Sequence, residues 1–314
     1  MIRRREEASR AARADRAIVD CRHSGYNVRV EDSFPADSHA LPQSANLSSD
    51  STSRSATPQV PDEEDVAQTI TAARAQIGLV AALHMEVAPF LERCLPLRRY
   101  SGGEFVFRGV MYDDTRIAVV ESGPGPKRAE RATQALLDAH EPGWVLSVGF
   151  SGGLVPETRK GDIVVASSVT DGTESLDIDL KMPADPDHGL HVGRFLQTKE
   201  VVRTVAEKKE LAERTGAIAV DMESFAVARV CAARKTRFLA IRCISDDLSE
   251  DLPPEILTIF GKTGVMRAGA VLGSLWKRFS SYKDLIRLRD IAQTSARRLG
   301  AFLPPIIERL AEGE

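Results

Sequence analysis

Three apolar runs of strand length constrain this chain most: 76-QIGLVAAL-83, 144-WVLSVGF-150 and 237-RFLAIRCIS-245. A strand apolar at successive rather than alternate positions is buried on both faces, so it needs packed layers above and below its sheet. Helical spacing takes over directly after the first run, in 84-HMEVAPFLERC-94. It returns in 127-KRAERATQALLDAH-140, opened by the turn 123-GPGP-126, and in 222-MESFAVARVCAARK-235. Further helices are expected within 262–279, 282–298 and 301–312. The segments 104-EFVFRGVMY-112 and 115-TRIAVVESG-123, joined by Asp113-Asp114, read as a hairpin, and 162-DIVVASSV-169 as another strand. Strands alternating with helices predict an α/β fold: a single domain, residues 76–314, with a mixed central β-sheet flanked by helices. No internal repeat is visible.

Residues 1–75 are of another kind. They start with MIRRREEASR and pass into 43-QSANLSSDSTSRSATPQVPDEED-65, rich in Ser, Asp and Pro and poor in large apolar residues, so a weakly ordered extension is expected. The formal net charge of −3 gives no global electrostatic reason for a nucleic-acid partner, and a small ligand fits better. The four cysteines, Cys21, Cys94, Cys231 and Cys243, lack metal-ligand or disulfide-framework spacing. No metal or cofactor is expected. No apolar run approaches the roughly 18 residues of a membrane span, and the basic start leads into no signal-peptide core, so a cytoplasmic location is the expectation.

The glycine-rich stretch 145-VLSVGFSGGLVP-156 contains a literal G-x-S-x-G, the nucleophile elbow of serine hydrolases. An elbow needs a helix directly after the turn, but 154-LVPETRKGD-162 is too short and too broken by Pro156 and Gly161. The only histidines downstream, His188 and His191, lie in a Pro/Asp/Gly-rich segment read as a loop. Ser151 is therefore read as ending a buried strand in a tight glycine turn, where bare backbone lets a ligand approach closely.

Three acids sit at the exit ends of apolar strands, the edge where open α/β sheets hold ligands. Glu86 follows the first run, Glu223 follows 217-AIAVDM-222, and Asp246 ends 237-RFLAIRCIS-245. Taken singly, Glu86 and Glu223 read as helix N-terminal acids favoured by the macrodipole, and Asp246 as an N-cap. Taken together, with Arg242 on the same strand as Asp246 and the glycine stretch on a neighbouring strand, they point to one shared pocket.

The stretches 77-IGLVAALHMEVAPFLER-93, 122-SGPGPKRAERAT-133, 146-LSVGFSGGLVPETRKGDIVVA-166, 217-AIAVDMESFAVARVC-231 and 241-IRCISD-246 resemble, in order, the purine nucleoside phosphorylase/uridine phosphorylase superfamily. They are most similar to its 5′-methylthioadenosine/S-adenosylhomocysteine nucleosidases. The resemblance implies a nucleoside phosphorylase-like fold and hydrolysis of an N-glycosidic bond, with release of adenine from a small-molecule purine nucleoside. Asp246 would serve N7 of the departing base, Glu86 would activate water beside Arg242, Glu223 would bind the ribose hydroxyls, and Met222 would pack on the sugar. Gly152, Ser151, Phe150 and Val202 complete the implied substrate contacts. A homo-oligomer is implied as well.

The superfamily's phosphorylases grip phosphate with arginines in the first loop and before the glycine stretch, together with a serine there. Here those places hold 82-ALHME-86, Ser147 and Phe150, so water is the expected nucleophile. The sequence departs from the nucleosidases in Asp221, where they carry Glu, and in Phe150, where they have a small hydroxyl residue. It departs again in the short segment 170–195 and in Val201 or Val202, where an aromatic covers the base. The short segment, 207-EKKELAERTGAIAVDMES-224 and the basic amphipathic stretch 271-VLGSLWKRFSSYKDLIRLRDIAQTSARRLG-300 also resemble the hopanoid-associated nucleosidases, which implies adenosylhopane as an alternative substrate. In that reading the basic helices touch a membrane surface peripherally. A phosphate-dependent phosphorylase and a nucleoside-binding protein without turnover are the remaining alternatives.

Overall fold

The computed structural model describes residues 74–179, 182–253 and 282–312, with side chains from 289 onward in the last stretch. The expected helix within 262–279, most of the extension 1–75, and most of the basic stretch 271–300 lie outside the described residues or side chains.

In chain order the elements are β1 (Ile77–Ala81), α1 (His84–Leu91), β2 (Leu95–Gly102), β3 (Phe105–Tyr112), β4 (Thr115–Glu121), α2 (Pro126–His140) and β5 (Trp144–Gly153). There follow β6 (Ile163–Thr170), β7 (Ser175–Asp177), β8 (Leu190–Gln197), α3 (Val205–Thr215), β9 (Ala219–Asp221), α4 (Ser224–Ala233), β10 (Arg237–Asp246) and α5 (Tyr282–Ala311). They form the mixed α/β fold expected, on one sheet of ten strands. β1 lies between β4 and β5, parallel to both, and β5 is parallel to β10. Beyond β5 the ladder closes on itself, running β5, β10, β6, β8, β9 and back to β5.

The apolar runs are buried on both faces. On one side Leu79, Leu146 and Ile241 pack with Val87 and Phe90 of α1 and Leu299, Leu303 and Ile307 of α5. On the other, Val80, Val120 and Val145 meet Ala132 and Leu136 of α2 and Val227 and Val230 of α4. Adjacent residues such as Leu79 and Val80 thus feed opposite cores, because strand side chains alternate between faces. α2 begins as its turn predicts, with Pro126 in the first helical turn and Gly125 at φ 101° before it. The β3–β4 hairpin turns on Asp113, at φ 46°.

Three expectations are corrected and one strand is added. First, there is no glycine turn after Phe150: β5 runs through Ser151, Gly152 and Gly153, paired with β10 and then β9. Second, 95-LPLRRYSG-102 is a strand, paired antiparallel with β3 and mostly exposed, so it carries no burial signal in sequence. Third, the segment read as a loop before residue 195 contains β7 and most of β8, and α3 follows it. Fourth, 282–298 and 301–312 are one helix that passes through Gly300, where a Cβ would lie 2.9 Å from the backbone nitrogen of Phe90. Glycine there allows α5 to pack tightly against α1.

Candidate active site

The glycines of β5 mark where two side chains press against the sheet. Gly149 stands in register with Arg242 and Gly152 with Asp246 on the neighbouring β10. A Cβ on Gly149 would lie 2.7 Å from Glu86 Oε1, and one on Gly152 3.1 Å from Asp246 Oδ2. Neither glycine has positive φ, so the requirement is for space rather than for an unusual backbone.

Glu86 occupies the third position of α1 and is 5% exposed. Its Oε2 accepts the Leu83 N–H at 2.8 Å and its Oε1 the Phe150 N–H at 3.1 Å. Burial raises its pKa above the usual carboxylate range, opposed by the Leu83 N–H and by the positive charge of Arg242. One carboxylate thus caps the start of α1 and ties it to the bare edge of β5.

Arg242 is 1% exposed. It donates to the Ser147 carbonyl at 2.7 Å and the Ser147 hydroxyl at 2.8 Å, and pairs with Asp221 Oδ2 at 2.8 Å. Its Nε is buried with no hydrogen-bond partner, as is the Ser151 hydroxyl. An orphaned donor beside a buried carboxylate suits a small polar ligand, because a lost partner there is costly. Asp221 also accepts the N–H groups of Glu223 and Ser224 at 3.2 and 3.1 Å and the Ser224 hydroxyl. It is the anchor that holds Arg242, a role that nothing in the sequence assigns to it.

Glu223 stands at the N-cap of α4, but its side chain does not cap that helix. Its Oε1 accepts the Gly125 N–H at 2.7 Å, reaching across to the turn that opens α2. Burial first, and then the Asp221 carboxylate, push its pKa up to about 8, against the pull of Arg242. Met222, half-buried, lies between these two acids in sequence.

Asp246 sits at the end of β10 with partners of its own. Its Oδ2 accepts from Lys208 Nζ at 2.5 Å and its Oδ1 from the Ser245 hydroxyl at 2.7 Å. Lys208, fully buried, is not among the residues that the sequence singles out. The usable signal is the pair Thr204 and Glu207, whose reciprocal capping starts α3 and directs the next residue inward. Val202 stands apart from the acids. It packs toward Leu154, Leu196 and Val220 and lines an open cleft of about 1440 Å³ with Gly125, Gln197 and Val201. Glu86, Arg242 and Asp246 do not line that cleft, which reaches Gly125, the partner of Glu223, and Gln197, in register with Asp221. Phe150 is half-buried against the α1/α5 core and serves Glu86 through its backbone.

Among the described residues no group of three or more His, Cys, Asp and Glu is arranged to hold a metal ion. Burial pushes the Cys94 thiol up to about 11 and those of Cys231 and Cys243 up to about 12, unsuited to thiolate chemistry. No described helix is long and apolar enough to cross a membrane.

Residues 76–189 and 184–276 match the model of the phosphorylase superfamily. The chain is 31% identical over 204 residues to a 5′-methylthioadenosine/S-adenosylhomocysteine nucleosidase of Thermotoga maritima, covering 60% of this chain and 93% of that protein. It is 25% identical over 235 residues to the enzyme of that name from Shewanella loihica, covering 64% and 98%. Among solved structures, the nucleosidase of the same name from Neisseria meningitidis, in complex with methylthio-immucillin-A, aligns at a TM-score of 0.56. That match has 17% identity and covers 74% of this chain and 98% of the other. Futalosine hydrolase of Helicobacter pylori also aligns at 0.56, with 19% identity, covering 76% and 99%. At these identities the solved structures speak for the fold.

Proposed function

The chain belongs to the phosphorylase superfamily, and from that premise we propose that it is a nucleosidase, hydrolysing the N-ribosidic bond of an adenosine derivative. The proposed substrates are methylthioadenosine and S-adenosylhomocysteine. The observation that carries this reading is the separation of two carboxylates with different surroundings. Glu86 is buried beside Arg242, and Asp246 lies at the strand end opposite Gly152.

Cleavage passes through an oxocarbenium-like state, which needs a proton or hydrogen bond on the leaving base and a base to take the proton of water. Glu86 suits the second task. Both its oxygens are fixed by backbone N–H groups, and burial makes its charged form a better proton acceptor than a free carboxylate. The unpartnered Nε of Arg242 supplies a donor for the water oxygen. Asp246 serves N7, so that adenine leaves without a full negative charge. Glu223, fixed to Gly125, binds the ribose hydroxyls. Water is favoured over phosphate because the first loop, residues 82–86, and Ser147 supply no arginine, and Arg242 already holds Asp221 and Ser147. The relatives named for methylthioadenosine and S-adenosylhomocysteine support the substrate choice.

The test is adenine release by the full chain from each of the two nucleosides, with and without phosphate, together with identification of the sugar product. Release without phosphate, giving free sugar, is expected. Sugar 1-phosphate would overturn the hydrolytic reading. Release from neither compound would overturn the substrate choice and direct the search to other adenosine derivatives, lipid-linked ones included.

A further inference from the structure

Lys208 is the single buried residue of α3, a helix whose other positions are exposed or half-buried. An ammonium held completely out of water is costly unless it is paired and hydrogen-bonded. Here its Nζ donates to Asp246 Oδ2 and, at 3.1 Å, to the carbonyl of Asp247. Its Cε lies 3.5 Å from where a Cβ on Gly152 would stand, so lysine, glycine and aspartate fill one space. The contact belongs to a wider clamp between α3 and the segment after β10. The Val205 N–H donates to Asp251 at 2.8 Å, and Arg203 and Leu252 exchange bonds at 2.8 and 2.9 Å.

We propose that Lys208 is the positioning residue for the leaving-group acid: it occupies Asp246 Oδ2, so that Oδ1 is the oxygen presented to the departing base, and the proton that passes to N7 as the ribosidic bond breaks is the one the lysine–aspartate pair shares, Lys208 being left as the amine. The inference rests on the nucleosidase reading above. Oδ1 is bridged by the Ser245 hydroxyl, which can rotate and exchange one partner for another. Oδ2 is held by a buried ammonium on a helix tied to the same segment. Without Lys208 the Asp246 side chain turns away from the base, and only steps that require help at N7 suffer.

Lys208→Met, which keeps length and removes charge, is compared with the unaltered full chain on two substrates. One is the adenosine derivative that the chain turns over. The other is p-nitrophenyl β-D-ribofuranoside, whose leaving group departs as a stable anion. Adenine release is expected to fall about 100-fold in kcat with little change in KM, the scale of a lost acid. Cleavage of the nitrophenyl riboside is expected to stay within a few-fold. Methylammonium is expected to restore part of the adenine release to Lys208→Ala. Equal losses on both substrates, or adenine release near the unaltered rate, would overturn the proposal. Adenine binding, measured by calorimetry, separates its failure from that of the underlying reading. Lys208→Met and Asp246→Asn should each weaken binding, and the double variant, which leaves neither charge unpaired, should lose no more than either. Additive losses would overturn the role of Lys208 alone, whereas a chain that neither releases nor binds adenine would overturn both readings.

Discussion

Glu223 is the residue whose charge state is most open to experiment. Its carboxyl titrates near 4.5 when solvated and is pushed up to about 8 in the fold, by burial first and by Asp221 second. The folded chain thus binds a proton that the unfolded chain has already lost. The associated stability is fully present below about pH 4.5 and is lost as pH rises through about 8. The urea midpoint of the unaltered chain is expected to decline between about pH 5 and about pH 9, and Glu223→Gln should flatten that decline. A variant with an undiminished slope would place the titrating group elsewhere. Glu86 works in the same direction, also raised by burial, but Arg242 and backbone N–H groups oppose the shift. The acids themselves could be found from sequence, because a carboxylate that closes an apolar run interrupts a pattern otherwise set by burial. Not all of their partners could. Asp221 and Lys208 look like surface charges until β9 and α3 carry them inward.

At the scale of the element, β5 shows why a local motif misleads. Its glycines read as a turn because glycine is the usual turn residue, yet none of them between Gly149 and Gly153 has positive φ. They are strand residues kept bare by Glu86, Asp246 and, at Gly153, the Thr158 side chain. What decides the matter is tertiary, the arrival of side chains from α1 and β10, and no window of sequence contains it. Gly149→Ala puts a methyl group where Glu86 Oε1 stands, so the carboxylate must shift by a substantial fraction of an ångström. A displacement of that order costs about 10- to 100-fold in kcat, with destabilisation of about 1–3 kcal/mol from overpacking. Gly109→Ala, with nothing nearer than 4.0 Å, is the matched control and should leave both unchanged. Unimpaired turnover in Gly149→Ala would remove Glu86 from the reaction. The central strands β1, β5 and β10 were legible from continuous apolarity. β2 and β7 were not, since both are mostly exposed and neither alternates cleanly.

At the scale of the whole molecule, the closed ladder accounts for how distant parts of the chain come to lie beside β5. β5 pairs with β1, β10 and β9, and each of those strands delivers a group next to it: Glu86 just after β1, Arg242 and Asp246 on β10, and Asp221 with Glu223 at the end of β9. The strand order therefore does what no sequence motif does, bringing residues 86, 150, 221 and 246 next to a single strand and its neighbours. Every one of these groups, and every described strand, falls after residue 76. Among the described residues the first ties are the Arg74–Glu141 ion pair at 2.7 Å, the Ala75 N–H to the His140 carbonyl at 3.1 Å and the Gln76 N–H to the Arg116 carbonyl at 2.9 Å. A chain starting at Arg74 keeps all three. A domain with its own core can fold without flanking segments, so the shortened chain should release adenine within about two-fold of the full-length rate and melt within a few degrees of it. Kinetics and thermal unfolding on the two chains side by side check this. A large loss of activity with an unchanged melting temperature would instead assign residues 1–73 a direct part at the site, and the boundary of the working unit would move to the first residue.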